Sequence, residues 1–128
     1  MDSSSRGTYL LLLELERETE ITIGRLGTFS FPAGYYVYIG SALGYGGLNA
    51  RLARHRKHTK KFHWHIDYFL LYARIVGLKT DNSGERLECA WARAMLNMPG
   101  ARVVAPHFGA SDCNCPSHLV YLGDTRPI

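Results

Sequence analysis

Between Glu20 and Asp67 the chain carries no acidic residue, although 11 Asp and Glu occur among its 128 residues. Arg25, Arg51, Arg54, Arg56, Lys57, Lys60 and Lys61 all fall in that gap. A polyanion approaching it meets attraction without compensating repulsion, which concentrates a modest formal charge of +4 into a local field. Long hydrophobic runs are missing too. Leu10 to Leu13 is cut short by Glu14 and Glu16, so it cannot supply the roughly 20 apolar residues of a transmembrane helix, and no membrane association is expected. Met1 to Gly7 lacks the separated basic, apolar and small-residue segments of a secretory signal. Cysteine is scarce, and its count of three is odd. That excludes a framework in which every cysteine pairs within the chain and suits a reducing compartment, so cytoplasmic residence is expected. No internal repeat or low-complexity linker interrupts the chain, and its length favours one domain over residues 1–128.

What is present reads first as strands. Tyr9 to Leu15 is branched, aromatic and apolar, and Glu14, Glu16 and Glu18 alternate where it reaches the surface. Arg17 to Thr19 turns the chain. Glu20 to Gly24 alternates with period two, and Gly24, Gly27 and Pro32-Ala33-Gly34 punctuate a hairpin or loop before a strand at Tyr35 to Ile39. An antiparallel meander is the simplest arrangement of these pieces. Gly44, Gly46 and Gly47 then lead into a basic helix that runs to Arg56 or beyond, with Leu48 and Leu52 one turn apart as its anchors. Phe62 to Tyr68 predicts a short helix or packed turn, and Ala73 to Lys79 another strand. From Glu85 to Met98, Leu87, Ala90, Trp91, Ala94, Met95 and Met98 describe an apolar helical face that Pro99-Gly100 terminates. A last strand is expected at His118 to Leu122.

The basic helix carries the chemistry most specific to this chain. Arg51, His55 and His58 recur at i, i+4 and i+7, which puts them on one face, while Arg54, Arg56, Lys57, Lys60 and Lys61 widen an electropositive rim suited to nucleic acid. Arg51 offers a planar guanidinium to phosphate oxygens, a geometry lysine does not reproduce. Tyr9 and Tyr38 sit on strands that are expected to be neighbours. A tyrosine with a pKa near 10 acts as a base only beside a cation or metal-linked water. Tyr36 and Tyr38 share one side of their strand, so one of them is free to be structural while the other is chemical. Glu88 lies at the edge of its helix's packed face, where its carboxylate is placed to hold a hard divalent cation that also contacts phosphate; Glu85, one turn earlier, is the substitute. Cys113, Cys115 and His118, with Cys89 or His107, invite a structural Zn²⁺ reading. One residue between the two cysteines is shorter than the usual knuckle spacing, so packing or loop roles are expected instead. His63 and His65 point together only if their segment is a strand.

Gly7-Thr8-Tyr9, Tyr38-Ile39-Gly40 and the Arg51/His55 pair resemble the motifs of the GIY-YIG endonuclease superfamily, in particular its small archaeal and bacterial DUF123-like branch, which is also found joined to DNA-repair domains. Gly109 to Cys113 and Ser117-His118-Leu119 resemble motifs of that branch as well. The resemblance implies an α/β fold with a small central, mainly antiparallel mixed sheet flanked by helices. It also implies hydrolysis of DNA phosphodiesters with Mg²⁺, or Mn²⁺ as the alternative metal. Tyr9 and Tyr38 then match the catalytic tyrosines of the two motifs, Arg51 the phosphate-stabilising arginine, His55 the proton-transfer residue of the helix and Glu88 the metal-binding glutamate. Three departures stand out: Thr8 replaces the isoleucine of the first motif, the connection from Tyr9 to Tyr38 is long, and Asn97-Met98-Pro99 only loosely resembles the Pro-containing end motif.

The expected function is therefore a small metal-dependent DNA endonuclease, with a DNA-repair protein as a further partner and the oligomeric state open. A catalytically reduced nucleic-acid-binding module and a structural or protein-interaction domain are the alternatives. The nuclease reading requires Tyr9, Tyr38, Arg51, His55 and Glu88 to converge on one concave basic surface.

Overall fold

The computed structural model describes residues 7–42, 52–55, 64–81, 87–109 and 116–124. Its frame is strand β1 (Gly7–Leu15), in which every second side chain faces the same way. Tyr9, Leu11, Leu13 and Leu15 enter one core cluster, whereas Leu10 and Leu12 pack into a second on the opposite face. A strand buried on both faces needs long partners on both sides. It pairs on one side with β4 (Gly34–Ala42), in unbroken register from Gly7 opposite Ala42 to Leu15 opposite Gly34. On the other it pairs with β5 (Arg74–Asp81), with a register shift between Leu12 and Leu13. Strand β6 (Leu119–Gly123) completes the sheet in the order β5-β1-β4-β6. Every pairing among the described residues is antiparallel.

The expected meander is not what forms. β2 (Thr19–Ile23) and β3 (Gly27–Phe31) pair only with each other, as a separate two-stranded sheet inserted between β1 and β4. The reason lies in their one-sided burial. Ile21, Ile23 and Phe31 are fully or almost fully buried, while Glu20, Thr22 and Thr28 are exposed, so the hairpin has one apolar face to cover and lays it on the main sheet. The same core cluster takes Ile66 and Phe69 from the short helix α1 (His65–Phe69), together with Ala105 and Phe108.

Helix α2 (Glu88–Leu96) packs on the opposite face, against Val37, Ile39 and Val120. Its apolar stripe is rotated from the expected one. Trp91, Ala92, Met95 and Leu96 meet the sheet, while Ala90 and Ala94 are exposed. Alanine buries too little area to orient a helix against Trp, Met and Leu. No side chain caps the start of α2 from within; instead the Leu87 N–H donates to the buried Thr8 hydroxyl at 3.0 Å, fixing the helix entry to β1. The threonine that departs from the first motif thus holds the helix that carries Glu88. Among the described residues no helix is long and apolar enough to cross a membrane. Thr8→Val keeps the shape and deletes the acceptor, leaving the Leu87 N–H unmatched. It is expected to lower unfolding free energy by about 1–3 kcal/mol in urea titrations, with an unchanged m-value.

Candidate active site

Tyr9 stands directly opposite Gly40 in the β1–β4 ladder, and its ring lies across the space a side chain there would fill. A Cβ at Gly40 would come within 2.4 Å of the Tyr9 ring carbon Cζ and hydroxyl. The Tyr-Ile-Gly sequence at the end of β4 is therefore a steric requirement of the tyrosine on β1. Over this spot lies a helical turn at residues 52–55, whose Leu52 packs on the core and whose His55 is 3% exposed. The Tyr9 hydroxyl and His55 Nε2 are 2.6 Å apart, a short O–H and imidazole contact. Tyr38 closes the group, its ring centroid 6.3 Å from that of Tyr9 and 6.2 Å from that of His55.

Tyr36, on the same side of β4, has the structural role. Its hydroxyl donates to the Pro32 carbonyl at 2.6 Å, and burial, reinforced by neighbouring Tyr121, pushes its pKa well above the ordinary value. Of the two same-side tyrosines, Tyr38 is the one beside His55.

Arg54 points elsewhere. Its guanidinium forms a two-pronged pair with Asp67, at 2.7 and 2.9 Å, and stacks over Trp64 with 4.0 Å to the ring centroid. Asp67 is fully buried and also accepts the Trp64 backbone N–H at 3.0 Å, closing the first turn of α1. Trp64 in turn packs on His55, ring centroids 5.8 Å apart. Arg54 thereby anchors the helical turn to α1, and only 20% of its side chain is exposed. Asp67 is the residue that ends the acid-free stretch, and that position is the one sign in the sequence that it would be claimed by an arginine from within it.

A loop walls the other flank. Gly109 adopts φ 67°, and a Cβ there would press on Tyr38 at 3.2 Å and on His118 at 3.3 Å. Its N–H donates to His65 Nδ1 at 2.8 Å, and its backbone hydrogen-bonds the His118 side chain. His118 is nearly buried and reaches across to α2, its Nε2 3.9 Å from Cys89 Sγ. Burial lowers the His118 pKa from its ordinary value, against an opposing pull from Glu88. Cys89 is disulfide-bonded. Cys113 and Cys115, the other cysteines of the chain, lie outside the described residues.

Of the residues picked out by sequence, Tyr9, Tyr38 and His55 come together. Glu88 is half-buried at the start of α2, on the opposite face of the sheet, and is linked to this group through the Thr8–Leu87 bond and through His118. Arg51, Arg56, Lys57, His58, Lys60 and Lys61 lie outside the described residues. His65 belongs to a helix, so it is not paired with His63 by strand periodicity. The family model described as "Domain of unknown function DUF123" matches residues 8–128. The chain belongs to that family. No curated protein and no solved structure matches it. The DUF123 match begins at Thr8, so it takes in Tyr9, Gly40, His55, Asp67, Glu88 and His118 alike.

Gly40→Ala is expected to displace the Tyr9 ring and cost about 1–3 kcal/mol, read as a lower denaturant midpoint together with altered Tyr and His55 aromatic NMR shifts. The histidines add a pH dependence. Burial holds His65 below its ordinary 6.5, and its Nδ1 accepts a hydrogen bond only when unprotonated. The unfolded chain therefore binds more protons than the fold, and stability present above the ordinary histidine range is lost as pH falls through it. Urea midpoints are expected to decline between about pH 7 and pH 5, and less steeply in His65→Asn.

Proposed function

We propose that this chain is a metal-dependent DNA endonuclease of the GIY-YIG type, in which the Tyr9–His55 contact handles the proton of the attacking water. The 2.6 Å separation of the Tyr9 hydroxyl and His55 Nε2 is the observation that carries this reading. An unprotonated His55 accepts the Tyr9 proton, and the resulting phenolate oxygen takes a proton from water, or relays it, as water attacks phosphorus. Tyr38 flanks both groups and orients them, and Gly40 leaves the space this packing needs. Arg51 supplies the guanidinium that stabilises the negative charge built up on the phosphate oxygens. The basic residues Arg56, Lys57, His58, Lys60 and Lys61 hold the DNA backbone. Arg54 takes no part in that contact, being engaged with Asp67 and Trp64.

Among the described residues no group of three or more His, Cys, Asp or Glu side chains converges. Magnesium sites in phosphoryl-transfer proteins commonly use one or two carboxylates, with water and substrate phosphate completing the shell; Glu88 is the carboxylate that would supply one, although its helix packs on the face of the sheet opposite Tyr9 and His55. When bound, the metal would neutralise charge on the phosphate and leaving oxygen.

Burial favours a second reading, a nucleic-acid-binding module with reduced catalysis. Tyr9 is 0% exposed, His55 3% and Tyr38 7%, so the three rings also form a well-packed wall. Assays on single-stranded, duplex and branched DNA with Mg²⁺ and Mn²⁺ separate the two. The nuclease reading expects cleavage whose kcat falls by about 10²–10⁴ in Tyr9→Phe and His55→Ala, with salt-dependent binding retained. Binding without cleavage by well-folded wild-type protein would establish the module and sink the nuclease.

A further inference from the structure

Leu71 and Tyr72 are the most exposed large apolar side chains among the described residues, at 57% and 54%. They are neighbours in the turn that leads from α1 into β5, and hydrogen bonds hold that turn in place. The Tyr72 N–H donates to the Phe69 carbonyl at 3.0 Å and the Ala73 N–H to the same carbonyl at 3.1 Å, while the Phe69 ring fills the core. The backbone is thereby fixed before any partner arrives, which lowers the ordering cost of a contact. Both side chains line a surface pocket of about 400 Å³ together with Glu14, Glu16, Arg17 and Arg74. It lies at the far end of β1 from the aromatic group, since the strand runs from Tyr9 to Leu15 over roughly 20 Å.

Charge decides the occupant. Glu14 is already matched, accepting from Arg74 Nε at 2.7 Å and from the Tyr35 hydroxyl at 3.1 Å. Glu16 and Arg17 are exposed and make no salt bridge among the described residues. Two carboxylates and two guanidiniums leave the lining with no net charge, so a partner of one sign is attracted by one group and repelled by the next. A second copy turned through a half-rotation meets no such conflict. It sets its Arg17 against Glu16 and its Glu16 against Arg17, and its own Leu71 and Tyr72 cover the apolar pair. We propose that the chain forms a two-fold homodimer through this patch, with Leu71 and Tyr72 at the centre and two Glu16–Arg17 pairs at the rim. The Tyr9–His55 groups then lie at the outer ends of the dimer, and the contact stands whether or not the chain cleaves DNA.

Sedimentation equilibrium of the full-length protein over a wide concentration range tests this, with circular dichroism confirming that each variant is folded. Wild-type protein is expected to pass from monomer to dimer as concentration rises, and Leu71→Asp and Tyr72→Asp each to weaken that association at least about tenfold. Glu16→Arg and Arg17→Glu are each expected to weaken it as well, because each sets like charges opposite one another twice. The symmetry makes a sharper demand: an equimolar mixture of these two variants restores both opposite-charge pairs and is expected to dimerise more tightly than either variant alone. Wild-type protein that stays monomeric at every concentration would overturn the proposal and leave the patch to a different protein. A dimer that survives Leu71→Asp and Tyr72→Asp unchanged would overturn it too, as would a mixture no better associated than its components.

Discussion

The buried carboxylate of Asp67 is the constraint on which the arrangement of the candidate site depends. A fully buried charge is costly unless it is matched, and here one group meets three N–H donors: two from Arg54 and one from the Trp64 backbone. Those bonds do two jobs. They close the first turn of α1, and they draw the helical turn at residues 52–55 onto it, which sets His55 above Tyr9. Losing one partner would leave the other charge buried without compensation, a penalty larger than the worth of the pair itself. The position of the histidine is therefore decided by an ion pair that never touches it, transmitted through the Trp64 ring.

Around that anchor the two faces of one strand divide the labour. Tyr9, Leu11 and Leu13 look toward the aromatic core and His55; Thr8, Leu10 and Leu12 serve the side on which α2 lies. Adjacent residues of β1 thus tie both halves of the proposed chemistry to one rigid element, Tyr9 directly and Glu88 through the helix entry. Residues on such a framework keep their geometry better than residues on a free loop. Glu88 acts electrostatically on His118, and His118 lies with Tyr38 beside Gly109.

Local periodicity made the strands β1, β4, β5 and β6 readable, along with helix α2, because alternation and 3.6-residue spacing are written into neighbouring residues, whereas α1 was left open between a short helix and a packed turn. Strand partnership was legible only in part: the Tyr9 and Tyr38 strands were expected as neighbours and do pair, but β2 follows β1 in the chain, and only burial on both faces of β1 shows why β2 is left to pair with β3. The stripe of α2 was misjudged for a related reason: counting apolar positions gave Ala90 and Ala94 equal weight with Trp91. Tyr9, Tyr38 and His55 were legible from motif and charge. Gly40 was visible as part of a motif, but its steric purpose appears only against the Tyr9 ring. The tie between Arg54 and Asp67 spans two helical elements, and charge patterning alone assigned that arginine to the outer rim.

The hairpin inserted between β1 and β4 has a consequence for how the chain reaches this structure. Pairing β1 with β4 requires closing the long connection that also separates the two tyrosine motifs, and closure entropy grows with the number of free residues in the loop. β2 and β3 are local partners, and their ladder places Thr19 opposite Phe31. Once they zip, the free chain left between the central strands shrinks to the short segments on either side of the hairpin. The insertion that lengthens the sequence thus shortens the conformational search, and Tyr9 meets Gly40 at the end of a register already primed by its own intervening loop.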